Sequence, residues 1–247
     1  MRACLECLQW ANEIIVVDAE STDGTVAEAR RFTDKVFVRP WPGFGPQKNF
    51  GFDQTQSEWI LIVDADERVT DKLRVEIQGI LKNGSPQGLA GYEIPRRNFF
   101  YGFWMRFGGM FPDYQIRLVK KSAARYDDTL LHENLRLQGS VQKLQSFFDH
   151  HSNPTITHHV RKMIQYTSLA AQEKLKHRDR VTVANLMGNH LVTIFKTYVT
   201  RGGWRDGLPG LVVALFAGMH TFVKYAKMHE TLSTERGTGN PSNARWV

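Results

Sequence analysis

The sequence predicts an α/β protein whose sheet presents carboxylates at the ends of its strands. Two apolar runs of strand length carry this reading, Ile14-Ile15-Val16-Val17-Asp18 and Trp59-Ile60-Leu61-Ile62-Val63-Asp64-Ala65-Asp66. Both read as strands buried on two faces, and both stop abruptly in acid. A third observation is the polar turn Ser21-Thr22-Asp23-Gly24-Thr25, whose helix-starting residues precede Val26, Ala29 and Arg30 in a helix to about Phe32. Ligands of open α/β sheets collect outside the carboxyl ends of strands, so Asp18, Asp64 and Asp66 are expected along one crevice rim. The helix start after the first strand can turn backbone N–H groups towards an anionic or polar ligand, although an ordinary βα connection reads the same way.

The remaining elements follow in order. Met1 to Trp10 reads as a helix, with Cys4, Leu5, Leu8 and Trp10 at spacings that suit one buried face. Lys35 to Arg39 reads as a strand stopped by Pro40, Trp41 to Gly45 as a Gly/Pro-rich loop, and Gln47 to about Gln54 as helical. Leu73, Ile77, Ile80 and Leu81 line one face of an amphipathic helix over 70–82. Tyr92 to Phe111 mixes strand residues with the aromatic run Asn98 to Trp104, flanked by Arg96, Arg97 and Arg106, which suits either a core or a ligand-stacking loop. In the strand from Asp113 to Leu118, Gln115 and Arg117 point to one face, since strand side chains alternate. The spacing of Val160, Ile164, Thr167, Ala171 and Leu175 predicts a helix from about Thr157 to His177.

Asp64-Ala65-Asp66 is the most informative chemical signal. The small Ala65 lets two carboxylates leave a tight turn towards one hard cation, and Mg²⁺ is commonly held by one or two carboxylates with phosphates and waters completing its shell. An isolated Asp-x-Asp is more often a solvated turn, but the buried run ahead of this one favours the site. Lys48 is placed to reach a phosphate or a base edge, and equally suits an exposed helix surface. Arg117 is placed to hold a phosphate or to orient an acid. His150, His151, His158 and His159 are assigned no metal, because adjacent strand residues face opposite ways.

Five ordered motifs then carry a resemblance. They are Asp18 to Thr25, Gly43 to Asn49, Asp64 to Arg68, Asp113 to Leu118, and Leu131-His132-Glu133. Together they resemble the family 2 glycosyltransferases of GT-A fold, nearest to the subgroup that builds lipopolysaccharide core or related cell-envelope glycolipids. The likeness runs from Cys4 to about Glu230. It implies a Rossmann-like mixed sheet flanked by helices, with a DXD motif at Asp64-Ala65-Asp66. It also implies inverting transfer of a sugar from a nucleotide-diphosphate donor to a lipid-linked or glycolipid acceptor. Under this resemblance Asp18, Lys48, Asp64 and Arg117 contact the donor, Asp66 and Asp64 hold Mg²⁺ or Mn²⁺, and Glu133 is the general base with His132 beside it. Such enzymes begin with a buried strand ahead of the first helix, whereas this sequence opens inside that helix. That departure keeps a non-catalytic, degenerate transferase acting at a membrane surface as the alternative. A nucleotidyltransferase is a weaker rival, because no glycine-rich phosphate loop lies near the N-terminus.

Composition bounds the rest. With 247 residues and a net charge of +7, one substantial core plus an appendage is expected, on a surface that attracts phosphate or anionic lipid. No RNP or zinc-finger signature is present, so nucleic acid is not expected as a partner. The 2 cysteines form one Cys-x-x-Cys without a second pair, which suits a helix face in a reducing compartment better than zinc or redox chemistry. Leu208 to Phe222 is apolar, edged by Lys196, Arg201, Arg205, Lys224 and Lys227, and interrupted by Pro209, Gly210, Gly218 and His220. A spanning helix needs about 20 apolar residues, so an interfacial helical hairpin is expected. The domain reading is residues 1–155 for the transferase, 156–232 for a helical membrane-surface region and 233–247 for a disordered polar tail, located on the cytoplasmic face of the inner membrane.

Overall fold

The structure is a computed structural model that describes residues 1–127, 134–177 and 180–236. The chain divides into two compact units, Met1–Asn98 with Pro112–Ser152, and Phe99–Phe111 with residues 153–247. The hairpin 99–111 thus groups with the C-terminal region and not with the first 155 residues.

In the first unit the order is α1 (Arg2–Glu6), β1 (Val16–Asp18), α2 (Thr25–Ala29), β2 (Val36–Val38), α3 (Phe44–Gln54), β3 (Trp59–Leu61), β4 (Glu67–Val69), α4 (Asp71–Asn83) and β5 (Leu89–Phe100). It continues through β6 (Phe103–Trp104, in the other unit), β7 (Asp113–Lys120), β8 (Ala124–Tyr126), β9 (Leu135–Leu137), β10 (Ser140–Lys143) and β11 (Phe148–Asn153). The predicted α/β layout of a mixed sheet with flanking helices is present, but in three sheets. β1 and β2 form a parallel pair alone, β8 and β9 an antiparallel pair, and the main sheet runs β3-β7-β5-β11-β4, with β6 and β10 joined to β5. β3, expected to be buried on both faces, is half-buried along its length.

The local sequence explains these elements. The Thr70 side chain accepts from the Leu73 amide and caps α4, whose Leu73 and Ile77 are fully buried. α3 starts three residues earlier than the motif suggested, at Phe44, because Pro46 sits in the first turn, where its missing N–H costs nothing. The strand β5 turns into β6 through Tyr101 and Gly102, which have φ of 55° and 85°, the left-handed pair that a tight hairpin requires. The main core packs Val69, Leu73, Ile77, Tyr92, Ile94, Leu118 and Phe148 between sheet and α4. In its centre a Cβ on Gly91 would stand 2.8 Å from the Leu118 carbonyl oxygen. Gly91→Ala is therefore expected to cost about 1–3 kcal/mol, read as a lower denaturant midpoint with an unchanged m-value.

The second unit holds α5 (Ile156–Leu175), α6 (Asn189–Phe195) between two π-helical turns, Ala184–Gly188 and Lys196–Thr200, and α7 (Gly207–Arg236). The N-cap of α5 is Thr155, and its buried face is Met163, Thr167 and Ala171, while Ile164 is 53% exposed and not part of that face. α7 packs on α6 as a connected helical pair, but it corrects the expected interruptions. It runs unbroken through Gly210, Gly218 and His220, and continues over Ser233–Arg236, where a disordered tail was expected. Pro209 lies in the first turn, which tolerates it. The two glycines are contact points and not breaks, since a Cβ on Gly218 would lie 2.4 Å from Ile194, and one on Gly210 would meet the Gly203 carbonyl. Residues 203–234 are long and apolar enough to cross a membrane, with an 18-residue window of mean hydropathy 1.4. Lys227 Nζ donates to Ile164 O, Thr167 Oγ1 and Ser168 Oγ, which ties α7 to α5 through a partly buried polar cluster.

Candidate active site

Most of the predicted site residues lie in the first unit. Asp64 and Asp66 occupy the turn between β3 and β4, and the turn is set by the residue that follows them. Glu67 is fully buried, with one carboxylate oxygen accepting the Asp64 amide at 3.0 Å and the other accepting from Arg117 Nη2 at 2.7 Å. Arg96 reaches the same oxygen of Glu67 at 3.4 Å and also grips Asp113 at 2.6 Å. Asp113 further accepts from Asn98 and Gln115, so the network covers facing residues of β4, β5 and β7. A buried carboxylate of this kind is tolerable only because it is fully paired and hydrogen-bonded.

Arg117 also donates from Nη2 to Asp64 Oδ2 at 2.6 Å, and Lys48 Nζ stands 3.7 Å from Asp64 Oδ1. Burial pushes the Asp64 carboxyl up, but the charges of Arg117 and Lys48 outweigh it and hold the group at about 2. Burial likewise opposes the Arg117 charge, yet Glu67 and Asp64 keep its guanidinium firmly protonated. Asp64 is thus ionised and occupied by two cationic side chains. Asp66, as exposed as Asp64 at 38% against 39%, stands 3.4 Å from His150 Nε2. Asn98 fixes the other side of that ring, with Oδ1 2.7 Å from His150 Nδ1.

Asp18 is buried at the end of β1, where one carboxylate oxygen accepts the Ser21 amide at 2.7 Å. The adjacent Val17 carbonyl accepts from Gln47 Nε2 at 3.4 Å, so consecutive residues of α3, Gln47 and Lys48, meet the ends of β1 and β3. The structure therefore brings Asp18, Lys48, Asp64, Asp66 and Arg117 to the carboxyl ends of strands, although those strands belong to two sheets. His132 and Glu133 lie outside the described residues.

Sequence reasoning missed Glu67, Arg96 and His150. Glu67 was legible in part, since alternation puts it on the same inward face as Val69. His150 was discounted for its neighbour His151, and its partner Asp66 is far off in sequence. A divalent cation fits the donor set in a limited way. Asp66 presents a half-exposed carboxylate beside a histidine nitrogen, but among the described residues no three His, Cys, Asp or Glu groups are arranged to hold an ion. The chain would supply only one or two ligands, leaving the rest to phosphate and water, as suits Mg²⁺ or Mn²⁺.

Residues 2–121 match the model of glycosyl transferase family 2. The first half of the chain is a family 2 glycosyltransferase domain. The chain is 26% identical over 234 residues to the lipopolysaccharide core biosynthesis glycosyltransferase LpsC of Rhizobium meliloti strain 1021, covering 92% of this chain and 86% of that one. It is 28% identical over 250 residues to an uncharacterized glycosyltransferase of Rickettsia felis, covering 95% and 86%. Among solved structures, Staphylococcus aureus TarS 1-349 in complex with UDP-GlcNAc aligns over 96% of this chain and 83% of that one, at 12% identity and a TM-score of 0.37. The glycosyltransferase thus resembles the lipopolysaccharide core subgroup through its relatives.

Proposed function

We propose that this glycosyltransferase moves a sugar from a nucleotide-diphosphate donor to a lipid-linked or lipopolysaccharide-type acceptor, by inverting displacement with help from a divalent cation. The observation that carries this reading is the charge layout around Asp64, where two cations and an ionised acid meet beside the second carboxylate, Asp66. Lys48 and Arg117 hold positive charge where a departing diphosphate gathers negative charge. A cation on Asp66 would add to that stabilisation when bound. Asp18 and Asp64 orient the donor. Glu133 takes the proton from the acceptor hydroxyl as its oxygen bonds to the anomeric carbon, while the bond from that carbon to the diphosphate oxygen breaks; His132 lines the acceptor side.

The acceptor class is supported by the LpsC relationship and by the surface of the second unit. Leu191, Val192, Phe195, Trp204 and Leu208 are each between 58% and 72% exposed, on α6 and around the start of α7. Lys196, Arg201 and Arg205 lie among them in sequence. Such a face, apolar with a basic border, suits the headgroup region of an anionic membrane, with the face of α7 that packs on α5 and α6 kept in protein. This supports a position on the cytoplasmic side of the inner membrane.

The test is transfer itself. Purified full-length chain is incubated with a panel of UDP-, GDP- and dTDP-sugars, with extracted core glycolipid in anionic vesicles, and with Mn²⁺, Mg²⁺ or EDTA. Glycolipid that gains one sugar with inverted anomeric configuration is the expected product. Glu133→Gln is expected to lose at least about 10²-fold in kcat while donor binding is unchanged. Donor hydrolysis or transfer that survives undiminished in Glu133→Gln would remove the proposed base.

A further inference from the structure

Residues 106–109 and 201–206, both in the second unit, interlock as two loops. The Gly108 amide donates to the Arg201 carbonyl at 2.9 Å, and the Asp206 carboxylate accepts from the amides of Arg106 at 3.1 Å and Phe107 at 2.9 Å. Gly108, Gly109 and Gly202 have φ of 68°, 83° and 69°, the left-handed conformation that glycine adopts without strain. Gly109 also makes room for its neighbour, since a Cβ there would stand 2.9 Å from Arg201 Nη1.

Three guanidinium groups gather on this junction. Arg106 Cζ lies 4.4 Å from the centre of the Trp104 ring, Arg205 Cζ lies 4.0 Å from that of Phe107, and Arg201 lies against Gly109. All three arginines are exposed, and among the described residues none is paired with a carboxylate. Asp206 is the one acid in the two loop sequences, and its carboxylate is taken up by the two main-chain amides.

Like charges held together repel, and stacking on Trp104 and Phe107 offsets this only in part. A guanidinium that rests its flat face on a ring keeps its N–H edge for a second partner, and that edge matches two oxygens of a phosphate at once. The flanking groups are apolar. Phe103 is 57% exposed, Trp204 58% and Leu208, at the start of α7, 72%. A phosphate free in water gains nothing from such groups, whereas the phosphate of a lipid brings acyl chains that cover them.

We propose that Arg106, Arg201 and Arg205 form a binding site for the phosphate group of one anionic membrane lipid, with Phe103, Trp204 and Leu208 set against its acyl region. The choice of a lipid rests on the membrane reading above and goes further, from a basic border that any anionic surface attracts to a site with fixed partners. Such a site depends on guanidinium geometry, whereas a border depends on charge alone.

The experiment measures binding of the full chain to phosphatidylcholine vesicles, with and without phosphatidylglycerol, by flotation at constant ionic strength. Glycerol phosphate in solution is the competitor that separates a lipid from a free phosphate. The variants are Arg106→Gln, Arg201→Gln, Arg205→Gln and the charge-preserving Arg205→Lys, with Arg161→Gln removing one exposed charge from α5 as the comparison. Thermal melts confirm that each is folded. The three changes to Gln at the junction are each expected to weaken binding to phosphatidylglycerol vesicles at least about tenfold, Arg205→Lys at least about fivefold, and Arg161→Gln no more than about threefold. Glycerol phosphate is expected to compete only at concentrations at least about a hundredfold above that of the lipid. Parent-like binding by Arg205→Lys, with equal losses in all the Gln variants including Arg161→Gln, would mark a diffuse field; it overturns the site and leaves the membrane reading standing. No binding of the folded parent to either vesicle overturns both. Tight binding of glycerol phosphate without vesicle binding assigns the cluster to a soluble phosphate and overturns the choice of a lipid. Transfer is not measured, so none of these outcomes depends on the transferase assignment.

Discussion

Replacing Arg117 by Ala is expected to lower folding stability by about 3–5 kcal/mol and to abolish transfer, the largest combined effect of any single change in the first unit. The cause is what would be left behind. Glu67 has no exposure to water, and Arg117 is its nearest cation, with the more distant Arg96 at 3.4 Å. Removing one partner of a buried pair strands the other charge, and this costs far more than the pair itself contributes. The measurement is equilibrium urea unfolding of both proteins at neutral pH. Arg117→Lys is expected to rescue only part, because a compact ammonium is more strongly hydrated, and costs more to bury, than the guanidinium whose Nη2 meets both Asp64 and Glu67. Acid provides an independent check through Asp64. Its folded value of about 2 lies below the ordinary carboxylate range, so the unfolded chain binds the proton more readily. The stabilisation is therefore complete above about pH 4 and is lost as pH falls through about 2. In Arg117→Ala that part of the acid dependence should shrink. An unchanged midpoint in urea would show that Glu67 is not held in the way described.

Asp66→Ala is expected to reduce transfer by at least about 10³-fold while moving Tm by no more than about 1–2 °C. The separation follows from geometry. Asp66 and Asp64 are equally exposed, but Asp64 is bound by the buried Arg117, whereas Asp66 faces His150. Losing it leaves the buried Arg117–Glu67 pair in place, so the protein should fold, but the carboxylate proposed to hold the cation has gone. His150→Ala is expected to behave as a positioning change. It should raise the concentration of Mn²⁺ needed for half-maximal rate while leaving the rate at saturating metal within about tenfold. Transfer by Asp66→Ala at more than a tenth of the parent rate would remove Asp66 from the chemistry.

The sequence made the strands and their acidic ends legible because the information is local. An apolar run that stops in Asp can be recognised without knowing what lies beside it, and the same holds for α4, where Thr70 and the Leu73/Ile77 stripe sit within one helix. Local reading does not reach the pairing. Nothing near Asp66 announces His150. Glu67 illustrates the middle case, since its inward face follows from alternation but its burial requires two arginines supplied by β5 and β7. The long C-terminal helix was misread for a different reason. Gly210 and Gly218 were taken as interruptions by propensity, whereas close packing against Gly203 and Ile194 reverses their effect.

The sheet order has a consequence for synthesis on the ribosome. The turn carrying Asp64 and Asp66 leaves β3 at one edge of the main sheet and enters β4 at the other. β3 can pair as soon as Leu118 to Lys120 has emerged, but β4 waits for Phe148 to His150. Until then the nascent chain carries the acidic turn with one end anchored and the other loose, and Asp66 has no histidine opposite. A fragment ending near residue 121, the limit of the family match, would remain in that intermediate condition.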